Sequence, residues 1–62
     1  MEQARALELA REANARGLTF RAYAEELDPT GSQVKWLVWH MVKAFYPPQR
    51  RAEQLRVEGD NI

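Results

Sequence analysis

An all-α fold of four short helices is predicted for this chain, on three observations. Two central segments carry apolar residues at helical spacing. Every glycine and proline falls at or beyond the end of a candidate helix: Gly17, Pro29, Gly31, Pro47, Pro48 and Gly59. The segment with the best strand formers, 32–46, lacks the strict apolar–polar alternation of a half-buried strand and tracks a helical period instead.

The first helix is expected from about Glu2 to Arg16. Ala6, Leu7, Leu9, Ala10 and Ala13 share one broad face, and Glu12 and Arg16 stand at the favourable i,i+4 spacing. Gly17 is a natural left-handed stop. Thr19 can cap the second helix, where Phe20, Tyr23, Ala24 and Leu27 fall at i, i+3, i+4 and i+7. Arg21 and Glu25 pair on its outside. Asp28-Pro29 ends it, because a residue before proline is pushed out of the α region.

Thr30-Gly31-Ser32 is turn chemistry, with Ser32 placed to cap the third helix, Ser32 to Tyr46. That helix has two faces. Val34, Leu37, Val38, Met41 and Phe45 can close a core against Phe20, Tyr23, Leu27 and the alanine side of the first helix. Lys35, Trp36, Trp39, His40, Lys43 and Tyr46 lie on the other. A surface helix needs only one apolar stripe, so the second face is where function is sought. Pro47-Pro48 stops this helix and starts the last, about Pro48 to Glu58, with Ala52 and Leu55 as its inward residues. Gly59 ends it, leaving Asp60-Asn61-Ile62 as a frayed end.

The 62 residues make a single domain, 1–62, too small to bury a large fraction of its surface. It has no cysteine, hence no disulfide and no thiolate metal site. Compact helix packing or self-association is the expected compensation. The N-terminus lacks a signal-peptide apolar core, and the longest apolar run, Trp36–Trp39, is far too short to span a bilayer. A cytoplasmic location is expected, with no membrane partner.

Formal net charge is zero, but its distribution is uneven. Residues 1–31 carry four arginines and six acids, whereas 32–57 carry Lys35, Lys43, Arg50, Arg51 and Arg56 against Glu53 alone. The later part is a mildly basic body on a neutral protein.

The segment FRAYAEELDPTGSQVKWLVW has a small residue, Ala24, early in one helix and an apolar residue, Leu27, closing it. Val34 and Leu37 anchor the next helix. In this it resembles the helix-turn-helix of phage-repressor and Cro-type DNA-binding proteins. The departure is Asp28, where that family usually has the glycine that opens the turn. The resemblance covers about twenty residues and implies duplex DNA as partner, read by the 32–46 helix in the major groove. It nominates Thr30, Ser32, Gln33, Lys35, Trp36 and Trp39 as outward residues. Gln33 would bond adenine, and Lys35 guanine or a phosphate. Thr30 and Ser32 would donate to phosphates at the helix N-terminus. Lys43, Arg50, Arg51 and Arg56 would supply salt-dependent backbone contacts.

The tryptophans suit a second reading better. Indole is an unusual reader of duplex base edges, but tryptophan is enriched at protein–protein hot spots. Trp36 and Trp39, with His40 and Tyr46, would then dock a protein partner or a second copy without touching DNA. At least one indole is expected in the core, since a buried tryptophan would be a large share of it. The position of the two indoles separates the readings. Exposed beside Lys35 and Lys43, they favour a partner surface; buried, they leave a basic, polar helix for DNA.

Neither reading involves catalysis. His40 is a lone histidine without a second ligand for a metal. Glu25 and Glu26 diverge around their helix rather than forming a dyad. No nucleophile–base pair and no phosphate-cradling loop is found. No enzyme activity, cofactor, metal or small-molecule substrate is expected.

Overall fold

A computed structural model of the chain describes residues 1–59. It contains α1 (Gln3–Ala15), α2 (Phe20–Leu27), α3 (Val34–Phe45) and α4 (Pro48–Gly59), with no strand among the described residues. The expectation for Asp60-Asn61-Ile62 lies outside the described residues. The all-α architecture and its four helices are as expected, with ends displaced by a residue or two. No described helix is long and apolar enough to cross a membrane.

The boundaries have local causes. Gly17 adopts φ 70° after α1. Its N–H donates to the Asn14 carbonyl at 3.0 Å, and the Leu18 N–H donates to that of Ala13 at 2.9 Å. These two bonds form a Schellman closure, and Leu18, just past the glycine, packs against the core as that motif favours. At the start of α2 the Thr19 hydroxyl accepts from the Ala22 N–H at 3.0 Å, the expected cap. A second acceptor comes from α4. Glu58 Oε1 takes the Phe20 N–H at 2.7 Å and places a carboxylate at the positive end of α2.

The turn into α3 is organised by Asp28, not by Ser32. One carboxylate oxygen accepts from the Thr30 hydroxyl at 2.6 Å and its N–H at 3.2 Å. The other accepts from the Gln33 N–H at 2.7 Å and the Ser32 hydroxyl at 3.3 Å. The N-cap of α3 is Gln33, which makes no side-chain cap bond. The expected Ser32 cap is thus corrected, because a longer-reaching carboxylate already holds the free N–H. Asp28 has φ −134°, outside the left-handed region; the turn's positive φ, 81°, belongs to Gly31.

Those bonds hold the Asp28 carboxyl below its ordinary pKa of 3.8, led by the Thr30 hydroxyl and then the Gln33 N–H. A depressed carboxylate adds stability above its unfolded pKa and loses it as pH falls through the folded one. Asp28→Ala should therefore melt earlier than the parent at neutral pH. The two melting curves should converge well below pH 3.8. Thermal melts along a pH series check this. A gap that persists in strong acid would mean the carboxylate charge is not the cause.

The core lies between α1, α2 and α3. Leu9, Ala10, Ala13, Phe20, Tyr23, Ala24, Val34, Leu37, Val38, Met41 and Val42 form one buried cluster, edged by Leu18, Phe45, Tyr46 and Leu55. The small side chains of α1 let α3 approach closely, and α3 supplies most of the bulk. Burying such apolar surface is the main favourable term in folding. Four expectations need correction. Leu27 is 42% exposed, because it is the last residue of α2 and the helix ends as it passes the edge of the core. Phe45 is half-buried at the core margin, and the adjoining interior place is taken by fully buried Val42. Ala52 is exposed, since α4 touches the body through Arg51, Gln54, Leu55 and Glu58, the half-buried i, i+3, i+4, i+7 stripe. Tyr46 is not on the outer face. It leaves the helix with extended backbone, φ −108° and ψ 147°, so the helical wheel no longer applies. Its ring packs 6.1 Å from Phe20 and 5.1 Å from Phe45.

Candidate functional site

The helical period of α3 sends Val34, Leu37, Val38, Met41 and Val42 inward. About 100° per residue then places Trp36, Trp39, His40 and Lys43 on the opposite side, at i, i+3, i+4 and i+7. Both indoles are exposed, Trp36 by 45% and Trp39 by 44%. The expectation that one lies in the core is corrected. Phe20, Met41 and the valines fill the interior, and the two indoles are left at its edge, Trp39 beside α4.

The four side chains form a connected ridge. His40 lies between the indoles, its ring centroid 4.6 Å from that of Trp36 and 5.1 Å from that of Trp39, both edge to face. The Lys43 ammonium sits over Trp39, 4.5 Å from the ring centroid, within cation–π range. The ridge is therefore braced internally before anything binds. Bracing lowers the entropy lost when such side chains are immobilised in a complex.

His40 is half-buried, and its pKa lies below the ordinary 6.5. Burial is the main cause, followed by the charges of the chain's amino terminus and Lys43. At neutral pH the imidazole is thus uncharged. The depressed folded pKa favours the fold above 6.5 and ceases to do so as pH falls through the folded value. Protonated imidazole quenches excited indole by accepting an electron, whereas the neutral ring does so poorly. Tryptophan fluorescence should accordingly drop in a single step centred below pH 6.5. The step should vanish in His40→Gln; its survival there would separate the histidine from the indoles.

The residues nominated for DNA are placed differently. Thr30, Ser32, Gln33, Lys35, Lys43 and Arg50 are exposed. The Thr30 and Ser32 hydroxyls both donate to Asp28, and the Gln33 N–H does the same. The N-terminus of α3 therefore already faces a carboxylate, which repels a phosphate approaching from the same side. Arg51 is half-buried, its Nε donating to the Tyr46 carbonyl at 3.2 Å. Lys35, Gln33 and Arg50 remain free to reach outward.

The ion pairs of the described residues lie between positions 5 and 26. Among the described residues the pairs are Arg5–Glu8, Arg16–Glu12, Arg16–Glu26 and Arg21–Glu25. Two of these, Arg16–Glu12 and Arg21–Glu25, are the expected i,i+4 pairs. All are exposed and individually weak. No described cation of α3 or α4 has an acidic partner, so the basic character of 32–57 is uncompensated at the surface.

No protein-family model matches this chain, and no curated protein or solved structure resembles it significantly. The ridge and its surroundings are thus the basis for any functional reading.

Proposed function

We propose that this protein is a non-enzymatic interaction module that docks a protein partner through the outer ridge of α3: Trp36, Trp39, His40 and Lys43. The observation that carries this is the exposure of both indoles on the side of α3 opposite the core. Large aromatic side chains left in water are costly unless something covers them, and tryptophan leads the residue types that dominate binding energy. The i, i+3, i+4, i+7 spacing is that of a helix laid into a groove. A single helical ridge is small beside the roughly 800 Å² that each partner buries in a standard complex. A concave partner that wraps the ridge meets that requirement better than a flat one. The location this reading assumes is the cytoplasm.

Duplex DNA remains the second reading, supported by the cations of 32–57, which have no ion pair among the described residues, and by exposed Gln33 at the start of α3. One experiment separates the two. Tagged protein and its Trp36→Ala variant are cross-linked in the source cells, and the recovered partner is purified and titrated back. A polypeptide that binds the parent and not the folded variant supports the ridge. In parallel, a random-sequence duplex is titrated at low and high salt. Tight duplex binding that falls steeply with salt, with no such polypeptide, would replace this reading with the DNA one.

A further inference from the structure

Beside the ridge, α3 and α4 leave a cleft of about 180 Å³ lined by Trp39, Val42, Lys43, Arg51 and Leu55. We infer that this cleft is the anchor site for an acidic segment of a partner protein. One aliphatic or aromatic side chain inserts between Trp39 and Leu55, above the buried Val42 at the cleft's base, and neighbouring carboxylates meet Lys43 and Arg51. The inference rests on the ridge reading and names the partner's chemistry.

Three features carry it. The first is size. Pockets for drug-sized ligands run to roughly 300–1,000 Å³, so this volume suits a single side chain. The second is lining. Val42 and Leu55 offer no donor or acceptor, and the indole of Trp39 gives a flat apolar wall; an apolar anchor loses nothing by entering. The third is charge. Among the described residues no acid lines the cleft, and neither Lys43 nor Arg51 has an ion pair. Arg51 is also oriented, because Nε is held by the Tyr46 carbonyl and its terminal N–H groups are left for a carboxylate. A phosphate backbone would satisfy the same cations, but its bases would find no hydrogen-bonding groups on Val42 and Leu55. The chain itself contains an acidic apolar segment, Glu25-Glu26-Leu27. Its carboxylates lie beside Arg21 and Arg16 in exposed pairs, so a second copy offering this segment is the occupant that the test must exclude.

The test uses isotope-labelled whole protein and a blocked synthetic peptide with one leucine flanked by glutamates. Two control peptides replace the glutamates by glutamine or the leucine by alanine. The acidic leucine peptide should shift the Trp39 indole N–H together with Val42 and Leu55. Either control should bind about tenfold more weakly, as should Lys43→Glu, an exposed position whose fold is verified by its spectrum. Arg51→Gln gives a second, milder variant should charge reversal disturb the α3–α4 junction.

The glutamine peptide binding equally well would overturn the assignment, as would the absence of shifts at millimolar peptide. A duplex oligonucleotide that binds the cleft more tightly than the peptide would also overturn it. So would concentration-dependent dimerisation abolished by Leu27→Ala, which would give the cleft to a second copy of the chain. Trp36 lies on the ridge and outside the cleft, so it separates the two levels. Partner binding lost in Trp36→Ala but untouched by Arg51→Gln, which alters the cleft and not the ridge, removes the cleft and keeps the ridge. Binding untouched by Trp36→Ala removes the ridge.

Discussion

Replacing Phe20 by alanine is expected to remove a third or more of the protein's stability. Phe20 is 2% exposed and is among the largest fully buried side chains. Its ring meets Phe45 edge to face at 5.7 Å and Tyr46 at 6.1 Å, so it ties the start of α2 to the end of α3. Its backbone N–H is held by Glu58 of α4. Three helices thus converge on one residue. Removing a buried phenylalanine costs about 3–5 kcal/mol, through lost apolar burial and the cavity left behind. At about 0.05–0.15 kcal/mol per residue, 62 residues give a total stability of roughly 3–9 kcal/mol. The loss is therefore about a third of the total or more. A domain of this size shifts its melting temperature by about 4–8 °C per kcal/mol, so circular dichroism should record a fall of at least about 12 °C. Leu27→Ala is the matched control, since exposed positions change stability by about 0.5 kcal/mol or less. A Phe20→Ala variant melting within a few degrees of the parent would show that this junction does not hold the fold together.

Phe20 was identifiable as core before any coordinates, and the reason is instructive. In α2 the apolar residues keep the helical period, the polar ones fill the rest, and a threonine caps the start. Local propensity, pattern and turn chemistry agree there. The same holds for the alanine face of α1 and its Gly17 stop. The pattern weakens where burial depends on another element. Val42, at the margin of the α3 core arc, is fully buried beside α4, whose position the helical wheel does not give. That position is itself faint in the sequence, because the contact stripe of α4 is Arg51, Gln54, Leu55 and Glu58, with one apolar member. Asp28 is a similar case. Its part in the turn into α3 depends on a carboxylate reaching five residues ahead to the Gln33 N–H, and no spacing rule points to it. The candidate site was half legible. Periodicity places Trp36, Trp39, His40 and Lys43 on one side of their helix. It does not say whether a neighbouring helix covers that side, and so the expectation of a buried indole was open to correction. The cleft between α3 and α4 had no signal at all, since its walls come from residues far apart in sequence.

The double variant Trp36→Ala, Trp39→Ala should show the opposite balance to Phe20→Ala: little change in stability and a large loss of partner binding. Each indole is nearly half exposed; its ring meets His40 of its own helix, Lys43 lies over Trp39, and Trp39 also borders α4 at the cleft. Such local contacts persist in part in any helical state of the chain, so area-based estimates overstate what truncation loses. Alanine also has the higher helix propensity, by about 0.5 kcal/mol per site, which offsets part of the remainder. The melting temperature should therefore stay within several degrees of the parent, and helix content should be preserved or slightly higher. Binding responds differently, because in the complex the exposed half of each ring becomes buried against the partner. Hot-spot tryptophans cost at least about 2 kcal/mol each on truncation, or roughly thirtyfold in affinity, and two neighbours need not add. Titration calorimetry with the recovered partner, set beside thermal melts of the same samples, measures both quantities. Full affinity in a folded double variant would exclude the ridge as the docking surface. Loss of fold would mean that the exposed indoles hold α3 against its neighbours, and their place on the outside of the bundle would need a structural explanation.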